Sequence, residues 1–188
     1  MEKTLKTQTD LSRYDNSWYK PGSFLKQLLW YFTNRLFINT YLPYPMAVKR
    51  FALTLFGAKI GKGTVIKPKV NIKYPWFLEI GAHTWVGENV WIDNLTMVRI
   101  ESNVCLSQGC LLLTGNHNFT TSTFDLIVKP ITIENGAWIG ARATVCPGVT
   151  VRSHAVLTVE SVATGDLEAF GIYQGNPAKF AKTRILTR

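Results

Sequence analysis

From Ile60 onward an aliphatic residue returns at every sixth position, and no other feature of this 188-residue chain restricts its fold as much. The series reads "IGKGTV IKPKVN IKYPWF LE" from Ile60, "IGAHTW VGENVW IDNLTM VR" from Ile80 and "IESNVC LSQGCL LLTGNH" from Ile100. It resumes as "IENGAW IGARAT VCPGVT VRSHAV LTVESV" from Ile133. The fifth position is usually small or β-branched: Thr64, Val70, Thr84, Val90, Thr96, Val104, Cys110, Ala137, Ala143, Val149, Ala155 and Ser161. A period of six suits neither the 3.6 of a helix nor a long alternating strand. It suits short strands of about four residues joined by tight corners and stacked as a coil. The starts at 60, 80 and 100 lie twenty apart, so each turn has three flat sides and a two-residue step. The expected fold is all-β, with aliphatic columns pointing inward.

The rhythm breaks at "LLLTGNHNFTTSTFDLIVKP", residues 111–130. Insertions into a coil survive only as loops that leave the stack intact. A loop over about 115–130 is therefore expected, with His117 at its root. Spacing alone leaves His117 open as a plain capping residue. Residues 1–59 form a basic, aromatic segment with two expected helices. Leu25, Leu28, Leu29, Phe32 and Leu36 give helical spacing over 24–38, and Pro45 and Gly57 bracket a helix over 45–56. The coil proper spans 60–162. In the last part, 163–188, "YQGNPAKFAKTRILTR" reads as a turn followed by a short basic helix.

Composition narrows the class. Hydrophobic residues make up 46% and charged ones 18%, which is globular. Net charge is +9, of which +6 lies in residues 1–59. Cys105, Cys110 and Cys146 match no metal spacing and read as reduced packing residues, which implies a cytoplasmic location. The first residues carry no signal-peptide pattern, and "FLKQLLWYFTNRLFINTYL" is too broken by Lys26, Gln27, Asn34 and Arg35 to span a bilayer. Its aromatics beside basic residues suit a peripheral contact with an anionic membrane, or packing on the coil or a neighbouring subunit. No nucleic-acid-binding motif accompanies them.

Taken in order, the repeats, the looped histidine in "LTGNHNF", the segment "ITIENGAWIGARATVCPGVTV", "SVATGD" and "GNPAK" resemble the hexapeptide-repeat acyltransferases. The resemblance covers roughly residues 57–180 and implies a left-handed parallel β-helix. It includes the maltose and galactoside O-acetyltransferases. Through "FALTLFGAKIGKG", "YPWFLEIG" and "LSQG" it is closer to acetyltransferases of colanic acid and related exopolysaccharide biosynthesis. It implies acetyl-CoA as co-substrate, a saccharide acceptor, no metal, and a homotrimer with active sites between subunits.

By that resemblance His117 is the general base, suited by an imidazole pKa near 6.5, and the backbone N–H of Ala141 is the oxyanion donor. Trp138, Gly140, Ala141, Thr164, Asn176, Pro177 and Lys179 fall on the coenzyme side. Asp93, Asn94, Ser107, Gln108 and Asn118 fall on the acceptor side, where a plain solvated corner is an equal reading for the first four. Asn118 stands where the closer relatives commonly have Asp. Two alternatives remain at this stage. A γ-class carbonic anhydrase would need three converging histidines, and the chain has only His83, His117 and His154. A non-catalytic β-helical scaffold would explain the repeats but not the assembled motifs.

Overall fold

The computed structural model describes residues 8–187. Strands of the repeat region pair with the turn above or below. The first face stacks Lys59–Ile60, Leu78–Ile80, Val98–Ile100, Ile131–Ile133 and Thr150–Val151. The second stacks Val65–Ile66, Trp85–Val86, Cys105–Leu106, Trp138–Ile139, Val156–Leu157 and Gly171–Gln174. The third stacks Asn71–Ile72, Trp91–Asp93, Leu111–Leu113, Thr144–Val145 and Val162–Ala163. All pairings between successive turns are parallel and in register, as in Ile80↔Ile100 and Val86↔Leu106. The chain is a three-sided parallel β-helix.

The period of six places its aliphatic residue inward on every face. Ile72, Ile92, Leu112 and Val145, for example, form a dry column on the third. The small and β-branched fifth-position residues close the corners and are buried from Thr64 to Ser161, with one exception. Thr96 is only half-buried, because it falls in the two-residue step. Corner space is narrow, which explains the small side chains. Thr64 Oγ1 also donates to the carbonyls of Gly61 and Gly81, 2.9 Å away. Burial pushes the Cys110 thiol up to about 12, so it stays a protonated packing group.

The step has a fixed address. It occurs only between the third and first faces, where Tyr74–Phe77 and Asn94–Met97 intervene, and the third turn inserts its loop at that corner. The loop opens as an antiparallel hairpin, Gly115–His117 against Leu126–Val128. The rest of the triangle repeats without change.

Parallel coiling leaves the first turn with carbonyls that have no turn beneath them. Two helices cover that end: α1 (Phe24–Thr33), which runs into a π turn over Asn34–Ile38, and α2 (Met46–Leu55). Ser23 caps α1 through Lys26 N–H. At the end of α2 the N–H of Gly57, with φ +101°, donates to Thr54 O and that of Ala58 to Leu53 O, a Schellman closure that needs glycine's left-handed freedom. Each face is then capped once. Arg50 Nη1 donates to Ile60 O at 3.0 Å, Lys49 Nζ to Ile66 O at 2.8 Å, and Trp30 Nε1 to Ile72 O at 2.9 Å.

The expected C-terminal helix is absent from the described residues. Gly171–Gln174 and Lys179–Thr183 form an antiparallel hairpin on the second face instead. The local cause is the packing of Tyr173 against Phe180, ring centroids 5.8 Å apart, and the clasp of Val162, whose N–H donates to Gly175 O while its carbonyl accepts from Ala178 N–H. An open second-face edge rewards extended backbone there more than a short basic segment rewards a helix.

Lys49 is 2% exposed, and burial lowers its pKa, with the nearby Lys67 ammonium adding to the shift. Lys49→Met keeps its apolar stem and strands two carbonyls, Ile66 O and Lys67 O. The variant is expected to lose roughly 1–3 kcal/mol of stability, read as a lower urea midpoint at unchanged slope.

Candidate active site

The hairpin holds His117 in one orientation. Its Nδ1 lies 2.9 Å from the carbonyl oxygen of Phe124. A carbonyl only accepts, so Nδ1 carries the proton and Nε2 keeps a free lone pair in the neutral ring. The Phe124 ring stacks on the imidazole at 4.4 Å and 7°, and Tyr14 closes on it at 5.7 Å. Phe124 has φ +53°, an uncommon backbone for a bulky residue, and that backbone presents both its carbonyl and its ring to His117. Nε2 makes no hydrogen bond among the described residues.

His117 lines a cavity of about 690 Å³ at the corner between the third and first faces, together with Tyr14, Tyr19, Lys73, Tyr74, Asp93 and Asn116. Asp93 is nearly buried, with Lys73 Nζ 3.1 Å from Oδ1 as its ion partner, though off the hydrogen-bond direction. Tyr19 donates its hydroxyl to Leu95 O, and Tyr74 to Gln27 Oε1 at 3.2 Å. Burial raises both phenol pKa values, with Asp93 a further cause in each, so both remain protonated donors at neutral pH. The cavity therefore offers aromatic faces, phenol oxygens whose own protons are already donated, a carboxylate and an ammonium.

Several of these residues have no periodic signal. Tyr14 and Tyr19 come from the segment before α1, which lies over the loop with Asp10 N–H bonded to Ser122 O at 2.8 Å. Phe124 sits in the loop, where spacing says nothing about orientation. Tyr74, beside the step in "IKYPWF", was the only visible hint.

The expected acceptor residues divide. Asp93 lines the cavity. Asn94 does not: it is fully buried and staples the step by accepting from Tyr74 N–H at 3.0 Å and donating to the carbonyls of Tyr74 and Phe77. Three peptide groups in an irregular turn needed partners, and Asn94 supplies them. Asn118 turns into the loop, where Oδ1 accepts from the N–H and hydroxyl of Thr120. Its neighbour Asn116 faces the cavity. Orientation of His117 thus comes from a backbone carbonyl and not from residue 118. Ser107 and Gln108 lie elsewhere, on a groove of about 450 Å³ along the corner between the second and third faces.

That second corner collects the expected coenzyme residues apart from Thr164, which follows the third face and lies toward the first corner. Trp138 is 46% exposed on the second face, and its Nε1 donates to Ser107 Oγ at 2.9 Å. Ala141 stacks between Gln108 and Glu160: Arg142 N–H bonds Gln108 O, and Glu160 N–H bonds Ala141 O. The Ala141 N–H itself makes no hydrogen bond among the described residues. Asn176, Pro177 and Lys179 form the exposed turn above, and Thr164 is exposed just past the third face. Gly140 is buried, and a Cβ there would meet Val159 N at 2.6 Å. Its missing side chain is explained by the next turn's backbone rather than by a ligand.

The histidines do not converge. His83 and His154 lie at the corner between the first and second faces, each covering a glycine of the turn below, Gly63 and Gly136. His117 is at a different corner, so a three-histidine metal site is not formed within the chain.

One corner of the three-sided coil thus carries a histidine hairpin, and another carries the unpaired N–H of Ala141. Comparison with known proteins bears on this directly. No family model matches the chain. It is 37% identical over 139 residues to WcaF of Escherichia coli K12, a protein assigned as a colanic acid biosynthesis acetyltransferase, covering 74% of this chain and 76% of that one. The chain belongs to the hexapeptide-repeat acetyltransferases. Galactoside O-acetyltransferase of Escherichia coli K12 is 28% identical over 125 residues, 65% of this chain and 62% of that one. Among solved structures, a maltose O-acetyltransferase from Clostridium difficile superposes with a TM-score of 0.79 at 19% identity, over 96% of this chain and 100% of its own. A Vibrio cholerae hexapeptide-repeat acetyltransferase complexed with acetyl coenzyme A gives 0.77 at 21%, over 87% and 91%. The structural likenesses establish the fold.

The corrected roles separate by stability. Asn94→Ala and Gly140→Ala are each expected to cost roughly 2–3 kcal/mol, from stranded peptide groups and from a backbone clash. Asn118→Ala and Gly165→Ala, the latter with open space at its Cβ, are expected to stay within about 1 kcal/mol. Urea unfolding of the four variants checks this.

Proposed function

We propose that this protein transfers the acetyl group of acetyl-CoA to a hydroxyl of a saccharide in cell-surface polysaccharide biosynthesis, as a cytoplasmic homotrimer with active sites between subunits. The observation that carries the reading is His117, pinned through Nδ1–H to Phe124 O with Nε2 unengaged in a cavity of aromatic and hydrogen-bonding groups. A sugar presents apolar ring faces and many hydroxyls, which suits that lining. The relative named for colanic acid biosynthesis, and the structures with acetyl-CoA or CoA bound, support the acceptor and donor classes.

The steps follow from the residues. Nε2 of His117 takes the proton of the acceptor hydroxyl as its oxygen attacks the thioester carbonyl. The tetrahedral oxyanion receives the Ala141 N–H. Collapse breaks the C–S bond, and the departing thiolate recovers the proton from the imidazolium. No acyl-enzyme forms. Trp138 flanks the pantetheine, while Thr164, Asn176, Pro177 and Lys179 line the way to the phosphate end, where the Lys179 ammonium favours negative charge.

Release of CoA thiol against a panel of sugars and polysaccharide precursors tests the reading. His117→Ala is expected to lower acceptor-dependent release by at least about a hundredfold, and Phe124→Ala by less, since it removes the stack and keeps the carbonyl. Unchanged turnover in His117→Ala would remove the base from the mechanism.

The shared site has its own test. His117→Ala and the groove-filling Ala141→Trp are each expected to be inactive alone. Co-refolded in equal amounts, they are expected to regain on the order of a quarter of wild-type activity, the random fraction of sites with both halves intact. Failure to regain any would argue for sites within single chains.

A further inference from the structure

Helix α1 is amphipathic in the opposite sense to a packing helix. Trp30 and Asn34 face the coil and are buried. The opposite side presents Phe24, Leu25, Leu28, Leu29, Phe32 and Leu36, between 39% and 79% exposed. Helical geometry places these six on one continuous arc. Phe51 and Leu55 of α2 extend it across an apolar groove of about 210 Å³ that α2 shares with Thr33 and Phe37. An apolar surface this continuous marks an interaction site.

The charge around it selects the partner. Residues 16–78, which hold both helices and the first turn, contain ten Lys and Arg and no Asp or Glu. Arg35 lies within the apolar arc, its guanidinium 5.4 Å from the Tyr31 ring, and Lys69 stands 4.7 Å from the ring of Tyr41. Exposed Trp18, Tyr31 and Tyr41 sit among these cations. A second copy would bring the same acid-free surface, cation against cation. An anionic bilayer instead supplies hydrocarbon for the leucines and phenylalanines, an interface for the tyrosines, and phosphates for the lysines and arginines. No helix of the described residues is long and apolar enough to cross a membrane, so the contact lies along the surface.

We infer that the outward face of α1, continued by α2, docks this protein on an anionic lipid surface, with the apolar arc in the headgroup boundary and the basic residues of 16–78 around it. Gln27 of the same helix lines the His117 cavity, so docking holds that cavity beside the bilayer.

The test is co-sedimentation of the full chain with vesicles of phosphatidylcholine alone or with phosphatidylglycerol added, without acyl donor, so that failure of the catalytic reading leaves it unaffected. Wild type is expected to bind anionic vesicles at least about tenfold better than neutral ones, and to lose most of that binding in high salt. The double variant Leu28→Glu/Phe32→Glu is expected to lose vesicle binding while keeping the wild-type urea midpoint and sedimentation coefficient. Wild type that ignores anionic vesicles, or binds both kinds equally, would overturn the inference. So would a double variant that binds as wild type does. A double variant that falls to a smaller assembly would assign the arc to contacts between copies and also overturn it.

Discussion

Parallel stacking of peptide groups is the constraint on which the other features rest. Each turn donates its N–H groups upward to the carbonyls of the next, as Gly61 does to Ile80 and Lys67 to Val86. The pattern never closes on itself, so the bottom turn is left with raw carbonyls on every face. Arg50, Lys49 and Trp30 each meet one, on the first, second and third faces in turn. The inner sides of the helices combine this polar capping with Trp30, Ile38, Ala52 and Leu53, which close the core beside it, and the remaining apolar residues of α1 face outward.

The same ladder decides where a site can be built. A corner that stacks on identical corners cannot lengthen in one turn without losing register above and below. The corner between the third and first faces already carries the two-residue step, so its backbone is not bound to a strict repeat. The chain uses that corner for Tyr74–Phe77, for Asn94–Met97 and for the hairpin of His117. The cavity arises where these irregular pieces and the Tyr14–Tyr19 segment meet. Asn94, buried beneath it, supplies the hydrogen bonds that the irregular turn gives up.

Much of the fold was legible because a period of six has a single geometric meaning: the first position is inside and the fifth is at a corner. Thr96 fits the pattern in letters and escapes burial because it belongs to the step. The site was legible only in part. His117 announced itself by standing at a break in the period, whereas Tyr14 and Phe124 reach it through long-range packing that leaves no local trace. Gly140 and Asn94 show the opposite error. A glycine or asparagine next to an expected site has the same letter whether it serves a ligand or the neighbouring backbone, and only the distance to Val159 N or Phe77 O tells them apart. At the C-terminus, "KFAKTR" is compatible with helix or strand, and the unpaired edge of the second face decides for strand.

His117 and Ala141 lie at opposite ends of the third face, separated by at least about 10 Å of strand. Direct transfer needs reacting atoms within about 3–3.5 Å. If His117 and Ala141 act as proposed, one chain would carry two half-sites that cannot serve the same acetyl group. In the proposed trimer, a threefold axis parallel to the coil would bring the third-turn hairpin of one subunit against the second–third corner of its neighbour without shifting either along the axis. The levels within one chain suit this. The His117 hairpin leaves between Leu111–Leu113 and Ile131–Ile133, and Trp138–Ala141 belongs to the turn that begins there. Rotation alone would align base and oxyanion donor. The interruption in the repeat falls at the level where, in that proposal, a neighbouring chain would supply the other half of the chemistry.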